Sequence, residues 1–488
     1  MDQLLTKDQL NELKIIEKLN LYFPNYVTIE SISKELEISK SSVIKLVNRI
    51  ETKNLGLIII YKKRTGLCLN TSITNIYDRT RLVYLKDSIL FNLCLDSFTK
   101  SYESPSSFSE KTYISIATFY NRINELNSIL TKYSLEFNPK NGEISGLSSN
   151  YRFFFYHFFW TCFRMQPCEL IDIFIADNST LLSSLIFEQQ NSNLNPIQKK
   201  QFLFALFVNF NQITKKKYIE PNFPHLNLSD SLYIYINKIF SKKFYFINKK
   251  NLNSEISFFY SFIISFPIKS PLLKLYPSIL QSYKLKNSKN YDYSKKLISK
   301  LEKSFPGIFD KKEEKLNFLV YVLSVNFSLT NFDYQDDSID KFNELDLYEK
   351  YPEFFVRFLE IFIEFEGNLK TKQITSMSLL KKKYRFKYYL LFLSTIISNY
   401  NFKKKYTVQI LTDSIIEKNI IKNDLLSKFD KNFIYIEKDI ENYDNIDLIV
   451  TNLSLDFFYK KDVPTLIVNT PMDMNDFISL DNLLIGDF

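Results

Sequence analysis

Glycine and proline are scarce, at 7 and 14 in 488 residues. Left-handed backbone positions and sharp breaks are therefore few, and long helices with short connections are expected. Cysteine is scarcer still: Cys68, Cys94, Cys162 and Cys168, with no CxxC and no His/Cys grouping at zinc spacing. That excludes a zinc ribbon and a disulfide scaffold, and the thiols read as buried and reduced. No cofactor and no metal are expected. Histidine occurs twice, as His157 and His225, and tryptophan once. There is no P-loop, no GxGxxG, no GxSxG and no HExxH, so no constellation calls for catalysis and the chain is expected not to be an enzyme. Acidic pairs such as Glu313-Glu314 and Asp336-Asp337 read as solvated charge. The greasiest runs, Arg152–Phe163, Ser257–Ile268 and Tyr388–Ile397, are too short or interrupted to span a bilayer. The start, MDQLLTKDQL, lacks the pattern of a signal peptide. The expectation is a soluble cytoplasmic protein with no membrane partner.

What is present is apolar and basic. Hydrophobic residues make up 45% of the chain, enough for several cores, and the length suggests roughly three to five domains. The net charge of +9 permits a polyanionic partner, although lysine, asparagine, isoleucine, phenylalanine and tyrosine all have AT-rich codons, so the placement of charge says more than its sum.

Charge is best placed around TIESISKELEISKSSVIKLVNRIETK, Thr28–Lys53. Thr28 caps a first helix with Ile29, Ile32 and Leu36 on one face, and Ser39 caps a second with Val43, Val47 and Ile50 buried. Ser33 is small enough for a close crossing. Glu37 stands where such turns hold glycine, so it is expected to take left-handed backbone at a cost. Ser39, Lys40, Ser41, Ser42, Lys45, Asn48 and Arg49 remain for the front face, which suits a major groove. An ordinary helical hairpin with a solvated basic face is the competing reading. Leu57–Tyr61 and Leu67–Leu69 then read as a β-hairpin with Lys62, Lys63 and Arg64 at its tip, a wing placed to touch phosphates. Upstream, Thr6-Lys7-Asp8-Gln9 fits a capping box opening a supporting helix.

Thr80–Phe98 reads as one helical stretch and Glu103–Ser109 as a polar break. A second helix-turn-helix follows, with Ser115 as cap, Ile123, Leu126 and Leu130 as the buried stripe, and Thr118, Asn121 and Arg122 left for DNA; a purely structural helical module fits these residues equally. Leu135–Phe137 and Glu143–Gly146 would form its wing. Ser149–Phe163 is an aromatic helix read as packing rather than a base-stacking platform. Helices then continue to about residue 400, interrupted by a basic KLKNSK linker at Lys284–Lys289. Beyond it strand and helix alternate, with strands at Tyr406–Leu411, Phe433–Ile436, Asp447–Val450 and Thr465–Val468 around an Ile415–Phe429 helix: a small parallel α/β sheet.

The segment ISIATFYNRINELNSILTKYSLEF with ISGLSSNYRFFFYHFFW resembles the second helix-turn-helix and junction of the Mga/AtxA-like virulence regulators. The resemblance implies a mainly α multidomain fold: a winged helix-turn-helix at 1–75, a second helix-turn-helix and junction helix at 76–164, two helical phosphotransferase-regulation domains at 165–285 and 286–400, and an enzyme IIB-like α/β domain at 401–488. It implies a transcriptional regulator binding double-stranded promoter DNA, dimerising through its C-terminal domain, with phosphotransferase-system proteins as possible partners. Two departures stand out. Lys215–Lys217 occupy the stretch where the family's first regulation domain places its phosphorylated histidine, leaving His225 as the sole regulatory candidate there, against a plain loop histidine. The loop after the first C-terminal strand is Thr412-Asp413-Ser414, without the nucleophilic cysteine of a working IIB domain. A phosphotransferase-system component and an RNA-binding antiterminator are the alternatives; the latter begins with a β-rich domain, whereas this chain begins with helices.

Overall fold

A computed structural model describes residues 1–53, 59–62, 65–70, 76–164, 166–182, 196–221, 223, 231–265, 280–281, 283–284, 288–309, 311–332, 343–367, 379–397, 406–428, 434–436, 446–453 and 463–485. The chain divides into two compact units, one of 1–292 with 320–337 and one of 293–319 with 338–488. The fold is mainly α with small sheets.

The first unit opens with α1 (Lys7–Leu21), α2 (Ile29–Leu36), α3 (Lys40–Thr52) and the hairpin β1 (Ile59–Lys62)–β2 (Gly66–Leu69). The Thr6 hydroxyl accepts from Gln9 N and the Gln9 side chain accepts from Thr6 N, so the capping box forms. Thr28 and Ser39 cap α2 and α3 as expected. Glu37 sits at φ 54°, ψ 40°. The turn is closed by Ile38 N donating to Ser33 O and by the Ser33 hydroxyl donating to Ile38 O at 2.5 Å. One core gathers Ile16, Leu19, Ile32, Val43, Leu46, Val47, Ile50, Ile59, Leu67 and Leu69, with Ile29, Leu36 and Ile38 at its margin. β1 and β2 are antiparallel, Lys62 facing Gly66. Val27 bridges to Leu67 through two 2.8 Å backbone hydrogen bonds, adding a third short strand. Gly66 is required there: its φ is +125°, and a Cβ would lie 2.2 Å from the Val27 carbonyl oxygen.

The stretch Thr80–Phe98, expected to be continuous, is two helices, α4 (Ile76–Lys86) and α5 (Ile89–Thr99), because Ser88 caps α5 through Phe91 N. The expected polar break at Glu103–Ser109 is also a helix, α6 (Pro105–Lys111): Ser104 caps it and Pro105 fills its first position, where a missing N–H costs nothing. α7 (Ile116–Leu130), β3 (Leu135–Asn138), β4 (Glu143–Gly146) and α8 (Ser148–Phe163) follow. This second winged unit repeats the first at an offset of 76 residues. Thr28, Glu37 and Ser39 correspond to the cap Ser104, the left-handed Tyr113 (φ 55°) and the cap Ser115, and β1 at 59–62 corresponds to β3 at 135–138.

α8 is buried around almost its whole circumference. Its rings pack against Phe98 of α5 and Phe207 of α10 (Pro196–Thr214), with Phe98–Phe155 and Phe98–Phe159 centroids both at 4.8 Å and Phe159–Phe207 at 5.1 Å. The aromatic helix is therefore core. α9 (Glu169–Asp177), α11 (Ser231–Lys243) and α12 (Lys249–Ile264) complete the helical layer that follows.

α13 (Ser288–Ser304) and α14 (Lys312–Asn331) contribute to both units. In the second unit α15 (Glu344–Lys350), α16 (Pro352–Gly367) and α17 (Leu379–Ile397) enclose Phe354, Phe358, Phe362 and Tyr389. A buried Arg385–Glu366 pair at 2.5 Å, joined by the Tyr293 hydroxyl donating to Glu366 at 2.9 Å, lies among them. The C-terminal part is α/β as expected: β5 (Tyr406–Leu411), α18 (Ile415–Lys428), β6 (Ile434–Ile436), β7 (Leu448–Thr451), β8 (Thr465–Ile467) and α19 (Met474–Ile485). Its four strands run in parallel in the order β6-β5-β7-β8 over Val408, Ile410, Ile421, Leu425, Val450 and Leu480. Among the described residues no helix is long and apolar enough to cross a membrane.

Candidate nucleic-acid interface

The residues expected to face DNA fall into two sets. Lys40, Ser41, Lys45 and Asn48 are exposed on α3. Lys45 and Asn48 carry no ion pair or hydrogen bond to another described side chain, and with Ser41 and the half-exposed Ile44 they share one helical face. Lys40 pairs with Glu30 at 2.8 Å on the surface, and that ammonium holds the Glu30 carboxyl below the usual range. A phosphate can replace such a solvated partner.

Arg49 belongs elsewhere. Its guanidinium turns to α1, with Nη1 2.6 Å from Asp8 and Nε 3.0 Å from Glu12, whose side chain is fully buried. Lys53 completes the cluster at 3.2 Å from Glu12. Arg49 thus compensates a buried carboxylate and joins α3 to its supporting helix, while its side chain stays 45% exposed. Ser39 and Ser42 are likewise occupied: Ser39 Oγ accepts from Ser42 N at 3.1 Å and lies 2.8 Å from both the Ser41 and Ser42 hydroxyls, and Ser42 is half-buried. At the wing, Lys62 is exposed near the Tyr26 ring, while Lys63 and Arg64 lie outside the described residues.

The second unit sorts in the same way. Asn121 is exposed. Thr118 is held by Ser115, 2.9 Å between hydroxyls, and Arg122 pairs with Glu125 at 2.6 Å on the side facing the groove toward Gln3 and Leu4, so both leave the front face. In their place stand Ile116, Ala117, Tyr120 and Asn124, all exposed. These sites escaped sequence reading because Ile44 and Tyr120 look like core positions by type. The offset of 76 was the available signal: it pairs Ile44 with Tyr120, Lys45 with Asn121 and Asn48 with Asn124.

Of the histidines, His157 is half-buried in α8 against Phe153, with ring centroids 6.4 Å apart, and His225 lies outside the described residues.

Residues 70–159 match the family model of the Mga helix-turn-helix domain. This segment is similar to the helix-turn-helix domain of the Mga family. The match supports a DNA-binding transcriptional regulator, and the matched segment begins just past the first wing and runs from α4 into α8, thus holding the second winged unit. The first winged unit, with Lys40, Lys45 and Lys62, lies before the match. No curated protein matches the chain.

Proposed function

We propose that this Mga-like regulator binds promoter DNA through both winged units, reading bases with the front faces of α3 and α7 and touching phosphates with Lys40 and the wings. The observation that carries the reading is the repeated front face. In each copy one stripe of a capped helix is left exposed, while Arg49 in the first and Arg122 in the second are engaged within the chain. Lysine and asparagine are suited to base edges, and Ile44 to a thymine methyl. The front face of α3 carries Lys45 beside Lys40 and that of α7 carries no charge, so α3 supplies more of the phosphate attraction and α7 more of the hydrogen bonding.

The domain assignment that fits is two winged units at 1–75 and 76–164, helical regulation-like domains at 165–285 and 286–400, and an enzyme IIB-like domain at 401–488. In that last domain Ser414 caps α18 through Ile416 N at 3.2 Å, so the loop after β5 has a hydroxyl in a structural role where a phosphoryl acceptor would need a thiolate. A non-catalytic, cytoplasmic regulator follows, with the C-terminal domain serving assembly into a homodimer. Exposed Met474 and Ile478, one turn apart on α19 beside the edge strand β8, offer an apolar surface for a second copy.

The deciding experiment compares duplex promoter DNA with hairpin RNA in a mobility-shift assay, using wild type and Lys45→Ala/Asn48→Ala. Duplex binding that the double variant weakens by about 1–3 kcal/mol per lost base contact supports the reading. Preference for hairpin RNA would favour the antiterminator alternative, and full duplex binding by a folded double variant would remove α3 from the interface.

A further inference from the structure

A cavity of about 310 Å³ opens in the first unit where the second wing meets the helical layer. It lies between the end of α5, the β3–β4 turn, Tyr151 of α8 and the residues just after α10. Three lysines line it: Lys100, Lys215 and Lys217. Two carboxylates face them, one paired on the surface with a lysine of the three and the other with a lysine outside the cavity. Glu143 pairs with Lys217 at 3.2 Å, and Asp96 lies 3.5 Å from Lys111 and accepts from the Ser101 hydroxyl at 2.8 Å. Lys100 and Lys215 remain without a carboxylate partner among the described residues. Lys215 is the more telling, because its ammonium is largely withdrawn from water, donating among the described residues to the Phe98 carbonyl at 2.5 Å and lying 5.2 Å from the Phe98 ring centre. Burial and the nearby Lys100 and Lys217 charges hold its pKa down to about 8.

The wall beside it carries a second unfilled demand. Gln212 is 1% exposed, and its side-chain oxygen accepts no hydrogen bond among the described residues. A buried acceptor without a donor costs on the order of 1–3 kcal/mol, so the position favours an incoming hydroxyl or N–H. The lysine turn is also built to hold its shape. Lys216 takes left-handed backbone at φ 58°, and Lys217 O accepts from Arg152 Nη2 at 3.0 Å. Arg152 is itself locked in a fully buried bidentate pair with Glu255, at 2.5 and 3.0 Å. The cations therefore converge on the cavity from a rigid frame.

We propose that this cavity binds a small hydroxyl-bearing phosphate monoester, its phosphate on Lys100, Lys215 and Lys217 and a hydroxyl on Gln212. Three flexible point charges suit the divergent oxygens of a phosphate, and the volume limits the ligand to a few carbons. Because the β3–β4 turn forms one wall, occupancy would bear directly on the wing of the second unit.

The test is calorimetric titration of the full chain with glycerol 3-phosphate, inorganic phosphate and glycerol at about 0.15 M salt, where surface attraction is screened. It needs no DNA, so its outcome is separate from that of the DNA-binding reading. One-site saturable binding of glycerol 3-phosphate is expected, competed by inorganic phosphate and untouched by glycerol. Lys215→Met and Lys100→Asn should each weaken it roughly tenfold or more, the loss of one charge-assisted hydrogen bond. Asparagine tolerates the left-handed backbone that Lys100 adopts, so that variant decides the matter if Lys215→Met fails to fold. No saturable binding, or affinity unchanged in the folded variants, overturns the assignment. Inorganic phosphate binding as tightly as glycerol 3-phosphate overturns the role of Gln212.

Discussion

Lys45 and Arg49 stand one turn apart on α3, and their surroundings give them different work. Lys45 has only solvent beside it, whereas Arg49 neutralises Glu12, whose side chain is shut off from water. Removing Arg49 leaves that carboxylate with Lys53 alone, and a buried acceptor stripped of a charged partner costs about 1–3 kcal/mol. Arg49→Ala is therefore expected to lower the urea midpoint with duplex affinity close to wild type once folded; equal stability with lost affinity would return Arg49 to the interface. Lys215 gives a pH signature. Its folded pKa, about 8, lies below that of an exposed lysine, so between pH 8 and 10 the native state holds fewer protons than the unfolded one. Its contribution thus strengthens the fold as pH rises through that window and is lost as pH falls through 8. Tyr102 and Tyr151 also line the cavity, but burial pushes Tyr102 up to about 12 and Tyr151 higher still, so neither titrates there. Wild type should gain more stability from pH 8 to 10 than Lys215→Met, measured by denaturant unfolding; identical slopes would place Lys215 in contact with bulk water.

Turn chemistry explains which elements could be read from sequence. The caps Thr6, Thr28, Ser39 and Ser115 are local signals, spelled within four residues, and all four form. α6 was equally legible, since Ser104 and Pro105 mark a start, but its run of serines resembles a break more than a helix. Long-range pairing is the part composition hides. Nothing near Arg49 announces Asp8 and Glu12, some forty residues away, and nothing in the phenylalanines of α8 shows that Arg152 among them carries a buried ion pair with Glu255. The turn itself can be tested. Glu37 is exposed and left-handed, a conformation costing a residue with a Cβ roughly 1–2 kcal/mol. Glu37→Gly relieves that strain but loosens the unfolded chain, leaving a net gain of about 0.5–1 kcal/mol. A higher midpoint in thermal unfolding is the expected result, and a lower one would mean that Glu37 contributes a stabilising contact of its own.

At the scale of the molecule, one chain carries two winged units 76 residues apart, so if both read DNA as proposed, even a monomer would cover an extended site, and a homodimer would present four such units. Symmetric DNA readers gain affinity by engaging repeated half-sites, which is the role proposed here for the C-terminal α/β domain. The surface proposed for that contact is small and specific: Met474 is 72% and Ile478 50% exposed on α19, which lies against β8, a strand whose outer edge has no neighbour among the described residues. Burying these side chains against their equivalents on a second copy removes apolar surface from water, and a carboxylate placed there would have to be desolvated without a partner. Because both positions are exposed in the single chain, Met474→Glu/Ile478→Glu should leave the fold intact. Sedimentation equilibrium is expected to show the wild-type dimer shifting to monomer in the double variant. The same variant should bind long promoter fragments more weakly than wild type and short single-site fragments equally well, since only the coupling between copies is lost. A variant that stays dimeric at equal concentration would move the dimer contact off the β8–α19 edge.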